Sequence, residues 1–422
     1  MPVGTVGVPM RVAVVGSGIS GLGAAWLLGR AHEVELFEAD DRVGGHTNTV
    51  AVSRPGGGLV GADTGFIVHN EVTYPLLVRL FRELGVATQD AQMGFSVSCA
   101  RCRLEFSGVG LHRQADLLAR AGFRRLVRDL VRFQRRAVRA LRPEAAGLTL
   151  GGFAREERYS PEFVRHYLLP LAAAVWSAGT EDALRFPAAY VVGFWHNHGI
   201  LGFRRLQWRT VTGGAVSYVK AMVAPMAGRV HAGRPVVAVR RDPAGVDLRT
   251  ADGGVHRFDA VVMATHPDQA LAALADPDPA ERRVLGAFRY TPSEAVLHTD
   301  ARMLPARPRA RAAWNYHLAD CRAPGARPAV TYSLNRLQRL DVGEELCVTL
   351  NRGEEIDPDR VLRRIAYRHP LYDFATLDAQ AAMPRLQGAR RTWFCGAWLG
   401  HGFHEDGLRS AVAVARDLGV AW

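Results

Sequence analysis

The chain has 422 residues, 48% hydrophobic and 22% charged, an ordinary globular balance with enough length for two cores. Its net charge of +12 is carried almost wholly by arginine, Lys220 being the sole lysine. No apolar run approaches the ~20 residues of a membrane-spanning helix, and five cysteines argue against a disulfide scaffold.

The first nine residues, MPVGTVGVP, lack the basic region and apolar core of a secretory signal. They read as a loose tail, with Met10 as an alternative start, and the chain is expected in the cytoplasm. An apolar strand, Val12 to Val15, then runs into Gly16-x-Gly18-x-x-Gly21, a helical segment that includes Ser20, and a second strand ending at Glu38. Gly16 suits a tight turn, Gly18 a close approach of backbone to a pyrophosphate, and Gly21 close helix–strand packing. The helix start offers unpaired N–H groups to phosphate, and Glu38 stands where a carboxylate accepts from a ribose hydroxyl. This is a dinucleotide arm.

Further along, residues 73–86 read as a helix, Phe95 to Phe106 as a hairpin, and about 110–200 as mostly helical. From Arg113 to Arg142 there are ten arginines and two aspartates, with apolar residues at helical spacing. Such a basic amphipathic segment suits an anionic membrane surface at the inner membrane face; the alternative is a solvated face on a core-packed helix. Nucleic acid is not expected, because no aromatic interleaving accompanies the charge. Strand signals return at 229–248, at 258–264 and through 290–350, and the chain ends in a strand (Thr392 to Cys395), a glycine-rich turn and a helix from about Asp406 to Leu418.

Directly after Glu38 and Ala39 comes Arg42-Val-Gly44-Gly45-His46, and near the end comes WFCGAWLGHGFHEDGLRSAVAVA, residues 393–415. Together with the dinucleotide arm these resemble the FAD-dependent amine oxidase and phytoene desaturase superfamily. The resemblance implies an α/β fold: a discontinuous Rossmann-like FAD domain (1–90, 205–275 and 385–422) and a mixed α+β substrate domain (91–204 and 276–384). It implies FAD contacts at Thr64, Gly65 and Phe66, at Val236 and Val237 beside adenine, and at Gly396, Ala397, His404, Glu405 and Asp406. It also assigns to Gly407 and Leu408 the N–H groups that face the flavin N1–C2=O2 edge.

Two departures narrow the chemistry. Ala397 stands where the family commonly has a carboxylate. The lysine that amine oxidases use near flavin N5 has no counterpart other than Lys220, which follows Gly213-Gly214. The segments GGHTNTV, FWHNHGILGFRRLQWRTVTGG, YTPSEAVLHTD, WNYH and GHGFHEDGLRS are also similar to a bacterial branch associated with cyclopropane-fatty-acid-synthase-like lipid methyltransferases. That similarity implies an apolar substrate, an unsaturated or methyl-branched fatty acyl chain, desaturated by hydride transfer to FAD, with a lipid methyltransferase as partner. His401, Glu405 and His198 are the candidate proton acceptors. Alternatives are an amine or amino-acid oxidase, a double-bond isomerase, and a non-catalytic FAD-holding partner of the methyltransferase. No metal site is expected: the histidine clusters fit the flavin cap, and Cys99-x-x-Cys102 reads as incidental turn cysteines without a second CxxC or CxxH.

Overall fold

The opening apolar strand, Arg11–Val15, lies at the centre of a five-stranded parallel sheet. Glu33–Phe37 and Ala260–Met263 flank it, and Val230–His231 and Thr392–Phe394 form the edges. Arg11–Val15 and Ala260–Met263 are near-continuously apolar because both sheet faces are covered, while Glu33–Phe37 carries Glu33 and Glu35. Alternate side chains divide between two cores. Val12, Val14, Leu36 and Val262 pack with helices Ile19–Leu28 and His404–Asp417, while Ala13, Val15, Val261 and Met263 join Phe258 and Phe394 on the other face. The computed structural model describes residues 8–54, 56–108, 111–202, 206–323, 325 and 327–422, with backbone only for 111–113. The expected tail lies, up to residue 7, outside the described residues.

Helix Ile19–Leu28 is buried on nearly every side, because the closing helix crosses it. Glycines permit that crossing. A Cβ on Gly23 would lie 2.9 Å from Leu408 Cδ1, and one on Gly407 would lie 2.7 Å from Ser20 Oγ.

The second sheet has seven strands, in the spatial order Val361–Leu371, Arg289–His298, Cys347–Leu350, Ala329–Ser333, Trp314–Leu318, Phe95–Cys99 and Leu104–Ser107. Phe95–Cys99 runs parallel to Trp314–Leu318, and the other neighbours are antiparallel. The expected hairpin is thus one edge of this sheet. The opposite edge, Val361–Leu371, carries exposed Arg363, Arg364 and Arg368 and gives no apolar alternation; charged edge strands resist pairing with other chains.

Between 111 and 202 the chain is helical around a core that includes Phe133, Phe153, Phe163 and Trp195. Helix Ala121–Arg136 of the basic segment buries Phe123, Leu126 and Phe133 and leaves Arg124, Arg128 and Arg135 exposed. Core packing of its apolar face is therefore observed. Val131, 46% exposed, lies on the same outer stripe as those arginines. No helix among the described residues is long and apolar enough to cross a membrane.

Candidate functional site

The dinucleotide arm is built by close backbone approaches. Gly16 has φ of 100°, and a Cβ on Gly21 would run into the Gly16 carbonyl oxygen. Gly18 differs: a Cβ there would meet nothing within 4 Å, so open space faces the start of helix Ile19–Leu28. That helix start has no side-chain cap and no acidic residue in its first turn, which leaves N–H groups, including that of Ser20, for an anion. At the end of the neighbouring strand, Glu38 Oε2 accepts from the Ser17 N–H (2.8 Å) and the Ser17 hydroxyl, and Oε1 accepts from the Asp40 N–H (3.0 Å). An ionised carboxylate has about four acceptor positions, so Glu38 retains capacity for a hydroxyl.

Ala39 is exposed beside Glu38. The segment leading to Val236 passes the same point, with the Arg234 N–H donating to the Glu38 carbonyl (2.8 Å). The register slips between Val236 and Ala238 in the pairing with Gly245–Thr250. The bulge leaves Val237 outside the ladder with its side chain exposed.

Arg42 folds its own loop: its guanidinium donates to the carbonyls of Gly45 (2.8 Å) and Thr47 (3.3 Å). Gly44 N–H donates to the Ser17 carbonyl, and a Cβ on Gly45 would approach Gly18 Cα to 3.0 Å. The loop thus lies directly on the glycine turn. Beyond it, the Phe66 N–H donates to the His46 carbonyl and the Thr64 N–H to the Asn48 carbonyl, each at 2.9 Å. Gly65 must be glycine, since a Cβ would strike the His46 carbonyl oxygen. Asp63 anchors this junction, accepting from the Ala215 N–H and the Gln338 amide (2.9 Å). Asp63 directly precedes the expected contact Thr64, whereas Gln338, 275 residues away, carries no local signal.

His46 stacks on Tyr367 (4.8 Å between ring centroids) and lies near His266 and His369. Burial and these neighbouring imidazoles hold His46 well below its ordinary pKa. His266, His369 and Tyr367 form a wall that sequence reading misses, because His266 lies far along the chain from the strand that carries Tyr367 and His369. The Nδ1 atoms of His266 and His369 are buried without a hydrogen-bond partner, as expected where a polar ligand edge completes the pairing.

The closing turn brings the chain's end to this place. Ser410 Oγ accepts from the Gly396 N–H (2.9 Å), and Asp406 Oδ2 accepts from the N–H groups of His401 (3.0 Å) and Phe403 (3.1 Å). Ala397 begins the turn between them. His404 stacks on Phe66 (3.8 Å), with Nε2 at 3.0 Å from Thr47 Oγ1 and 3.1 Å from the Tyr218 hydroxyl. Burial lowers its pKa to about 3, so it is neutral.

Three expectations change here. The Gly407 N–H donates to the Phe403 carbonyl (3.0 Å) and is not free for a flavin edge. Leu408 lies deeper in the helix, with a fully buried side chain. The N–H groups without an intrahelical acceptor belong to the first turn, His404 to Asp406; Gly407 serves the helix crossing instead. Glu405 is also engaged elsewhere, its Oε1 accepting from the Leu76 N–H (3.1 Å) and its Oε2 from the Leu77 N–H (3.0 Å). Its side chain caps helix Pro75–Glu83 and is held by two backbone donors rather than standing free as a proton acceptor. Finally, Cys99 and Cys102 are not isolated. Cys321 and His166 join them, and the four ligand atoms lie within 4.8 Å of one another.

Beside the closing turn, aromatic rings dominate. Phe194 stacks on Phe403 (4.6 Å) and on His198 (3.8 Å), and Tyr190 stacks on His401 (4.5 Å). The His198 Nδ1–H donates to the Phe194 carbonyl (3.0 Å), which fixes the tautomer and leaves the lone pair on Nε2. Burial pushes His198 down to about 4 and also lowers His401. Lys220, the sole lysine, is exposed on helix Val216–Val223.

The glycine-floored opening at Gly18, the spare acceptor capacity of Glu38 and the orphaned imidazole nitrogens fit an elongated dinucleotide with a polar ring system. Comparison with known proteins agrees with this geometry. The profile of a family described as flavin containing amine oxidoreductase matches residues 19–308. An L-amino-acid oxidase of Pseudechis australis is 51% identical over 49 residues, which is 11% of this chain and 10% of that protein; the match thus spans about a tenth of that relative. Among solved structures, a putrescine oxidase bound to putrescine superposes with a TM-score of 0.69 at 15% identity, covering 97% of this chain and 99% of the other. A CLA-producing fatty acid isomerase from P. acnes gives 0.67 at 15% identity, covering 98% and 99%.

Proposed function

The chain belongs to the flavin-containing amine oxidoreductase family and is an FAD-dependent oxidoreductase, and from that premise we propose that it acts on an apolar substrate, an unsaturated or methyl-branched fatty acyl chain. The observation that carries this reading is the uncharged aromatic wall of Tyr190, Phe194, Phe403, His198 and His401 beside the closing turn. The only lysine stands outside it, exposed on its own helix, which disfavours the lysine-dependent route to amine oxidation. A solved fatty acid isomerase shares the fold.

In this reading Gly18 and the N–H groups of Ile19 and Ser20 would hold the diphosphate, Glu38 would hold ribose, and Val236 and Val237 would border adenine. Arg42, Gly44, Gly45, His46, Thr64, Gly65, Phe66, Gly396, Ala397 and His404 enclose the remainder. Bound FAD supplies a two-electron acceptor for a hydride leaving a substrate C–H bond. The first-turn amides of His404 to Asp406 would present positive dipole ends to anionic charge on bound FAD. Phe194 and Phe403 exclude water from an acyl chain. His198, neutral with its lone pair on Nε2, takes the proton from the adjacent carbon, which completes a desaturation.

The test is anaerobic bleaching of the purified holoenzyme with unsaturated and methyl-branched acyl lipids beside a panel of amines, coupled to lipid profiling of cells with and without the chain. Bleaching by acyl substrates is expected. Bleaching by amines alone would overturn the reading. His198→Gln is expected to lower kcat by ~10²–10⁴-fold with bound flavin retained. Two partners belong to the same proposal: a lipid methyltransferase, sought by co-purification, and an anionic membrane surface at the exposed arginine stripe.

A further inference from the structure

We propose that Cys99, Cys102, His166 and Cys321 form a structural zinc site, separate from the flavin machinery, that clamps the helical part of the molecule to the seven-stranded sheet. The Sγ atoms of the three cysteines and a ring nitrogen of His166 lie within 4.8 Å of one another. In a tetrahedral site with Zn–S bonds near 2.3 Å, ligand atoms stand about 3.8 Å apart, so small side-chain movements complete the sphere. Cys102 Sγ and His166 Nε2 are already 3.3 Å apart. Three thiolates and one imidazole make a soft donor set that selects zinc over magnesium or calcium.

Each ligand is held by local structure. Cys99 and Cys102 bracket the tip of the hairpin between Phe95–Cys99 and Leu104–Ser107, and two intervening residues give a metal-knuckle spacing. Cys321 follows the parallel neighbour Trp314–Leu318. That loop is zipped to the hairpin tip by the Ala100 and Arg101 N–H groups, which donate to the carbonyls of Leu318 (2.9 Å) and Ala319 (3.2 Å), and by an Arg101–Asp320 ion pair (2.6 Å). His166 sits in a wide π turn, Val164–Leu168, a local widening frequent at functional positions. Its Nδ1–H donates to the Glu162 carbonyl (3.1 Å), which leaves the Nε2 lone pair toward the sulfurs. A backbone acceptor behind a ligating imidazole is the usual support of a metal-bound histidine.

Binding is balanced as Zn²⁺ displacing three thiol protons, so the complex carries one net negative charge. Arg101 and Arg103 at the hairpin tip and Arg322 beside Cys321 neighbour the ligands in sequence, and Arg101 is paired with Asp320. Cys102 is exposed and gives an entry path, while Cys99 and His166 are buried. With four protein ligands the sphere is closed, so the metal is structural rather than catalytic.

The test is metal analysis of the full-length holoenzyme purified without chelator, with flavin content read from visible absorbance on the same sample. About one zinc per chain is expected, and Co²⁺ in its place should give thiolate-to-cobalt charge transfer and the intense visible bands of a tetrahedral centre. Cys102→Ser and His166→Ala should each reduce zinc at least tenfold and lower Tm with FAD still bound, and His166→Cys should restore the metal. Three outcomes would overturn the site: a flavin-loaded chain that takes up neither Zn²⁺ nor Co²⁺, a Cys99–Cys102 disulfide in the mass spectrum, or full zinc retention by Cys102→Ser.

Discussion

Gly18 is the residue at which fold and ligand separate most cleanly. Its φ of −64° is ordinary for any residue, and a Cβ there meets nothing within 4 Å. Gly18→Ala is therefore expected to leave the Tm of the FAD-free protein within about a degree, while the added methyl fills the space for the diphosphate and weakens FAD binding at least ~10-fold. Titration of the stripped protein with FAD, beside thermal melts, checks both halves. Glu405 is the opposite case. Because its two oxygens cap the buried helix start at Leu76 and Leu77, Glu405→Ala should cost about 1–3 kcal/mol of stability. Turnover per bound flavin should fall by less than ~10-fold; a loss of ~10²-fold or more would mark a proton-transfer role instead. The two residues also show what a sequence discloses. Gly18 is legible because its reason is local: strand, turn and helix follow one another. Glu405 reads as an acid beside a flavin motif, and only the fold shows that it faces a helix 328 residues away in the chain.

The same divide runs through the elements. The strands Arg11–Val15 and Ala260–Met263 are legible because burial on both faces leaves apolar runs. The edge strand Val361–Leu371 is not, because its burial follows no regular alternation and arginine occupies exposed positions. The cysteine cluster is invisible for a different reason: its four members sit on a hairpin, a helix and a loop, and no spacing rule links them. Helix Ala121–Arg136 admits two readings in sequence, and packing of Phe123, Leu126 and Phe133 answers only for its inner face. The outer face, with Arg124, Arg128, Arg135 and exposed Val131, remains suited to anionic lipid. Holoenzyme is expected to float with vesicles containing anionic lipid and to release at high salt. Arg124→Glu, Arg128→Glu and Arg135→Glu combined should abolish flotation, and binding that survives this reversal would remove the helix from the membrane proposal.

At the scale of the whole molecule, buried imidazoles set the response to acid. His69, His198 and His298 are 1%, 8% and 0% exposed, and burial pushes each from 6.5 down to about 4. Between those values the unfolded chain binds protons that the folded chain refuses, so stability must fall as pH drops from about 6.5 toward 4. Each imidazole adds about 1.4 kcal/mol per pH unit to the slope. Thermal melts across that interval should show Tm declining steadily, with little change from these groups above pH 7; a flat profile would mean that they are solvated or paired with acids.

The parallel sheet joins residues 11–15, 260–263 and 392–394 as adjacent strands. A nascent chain emerging from the ribosome therefore carries its phosphate-gripping arm long before it owns the strand and helix that close the site. Until the final segment is released, the crossing face of helix Ile19–Leu28 has no partner, and the early part of the protein must wait with greasy surface uncovered. Closure of the site therefore waits for the last strand and helix of the chain, Thr392–Phe394 and His404–Asp417.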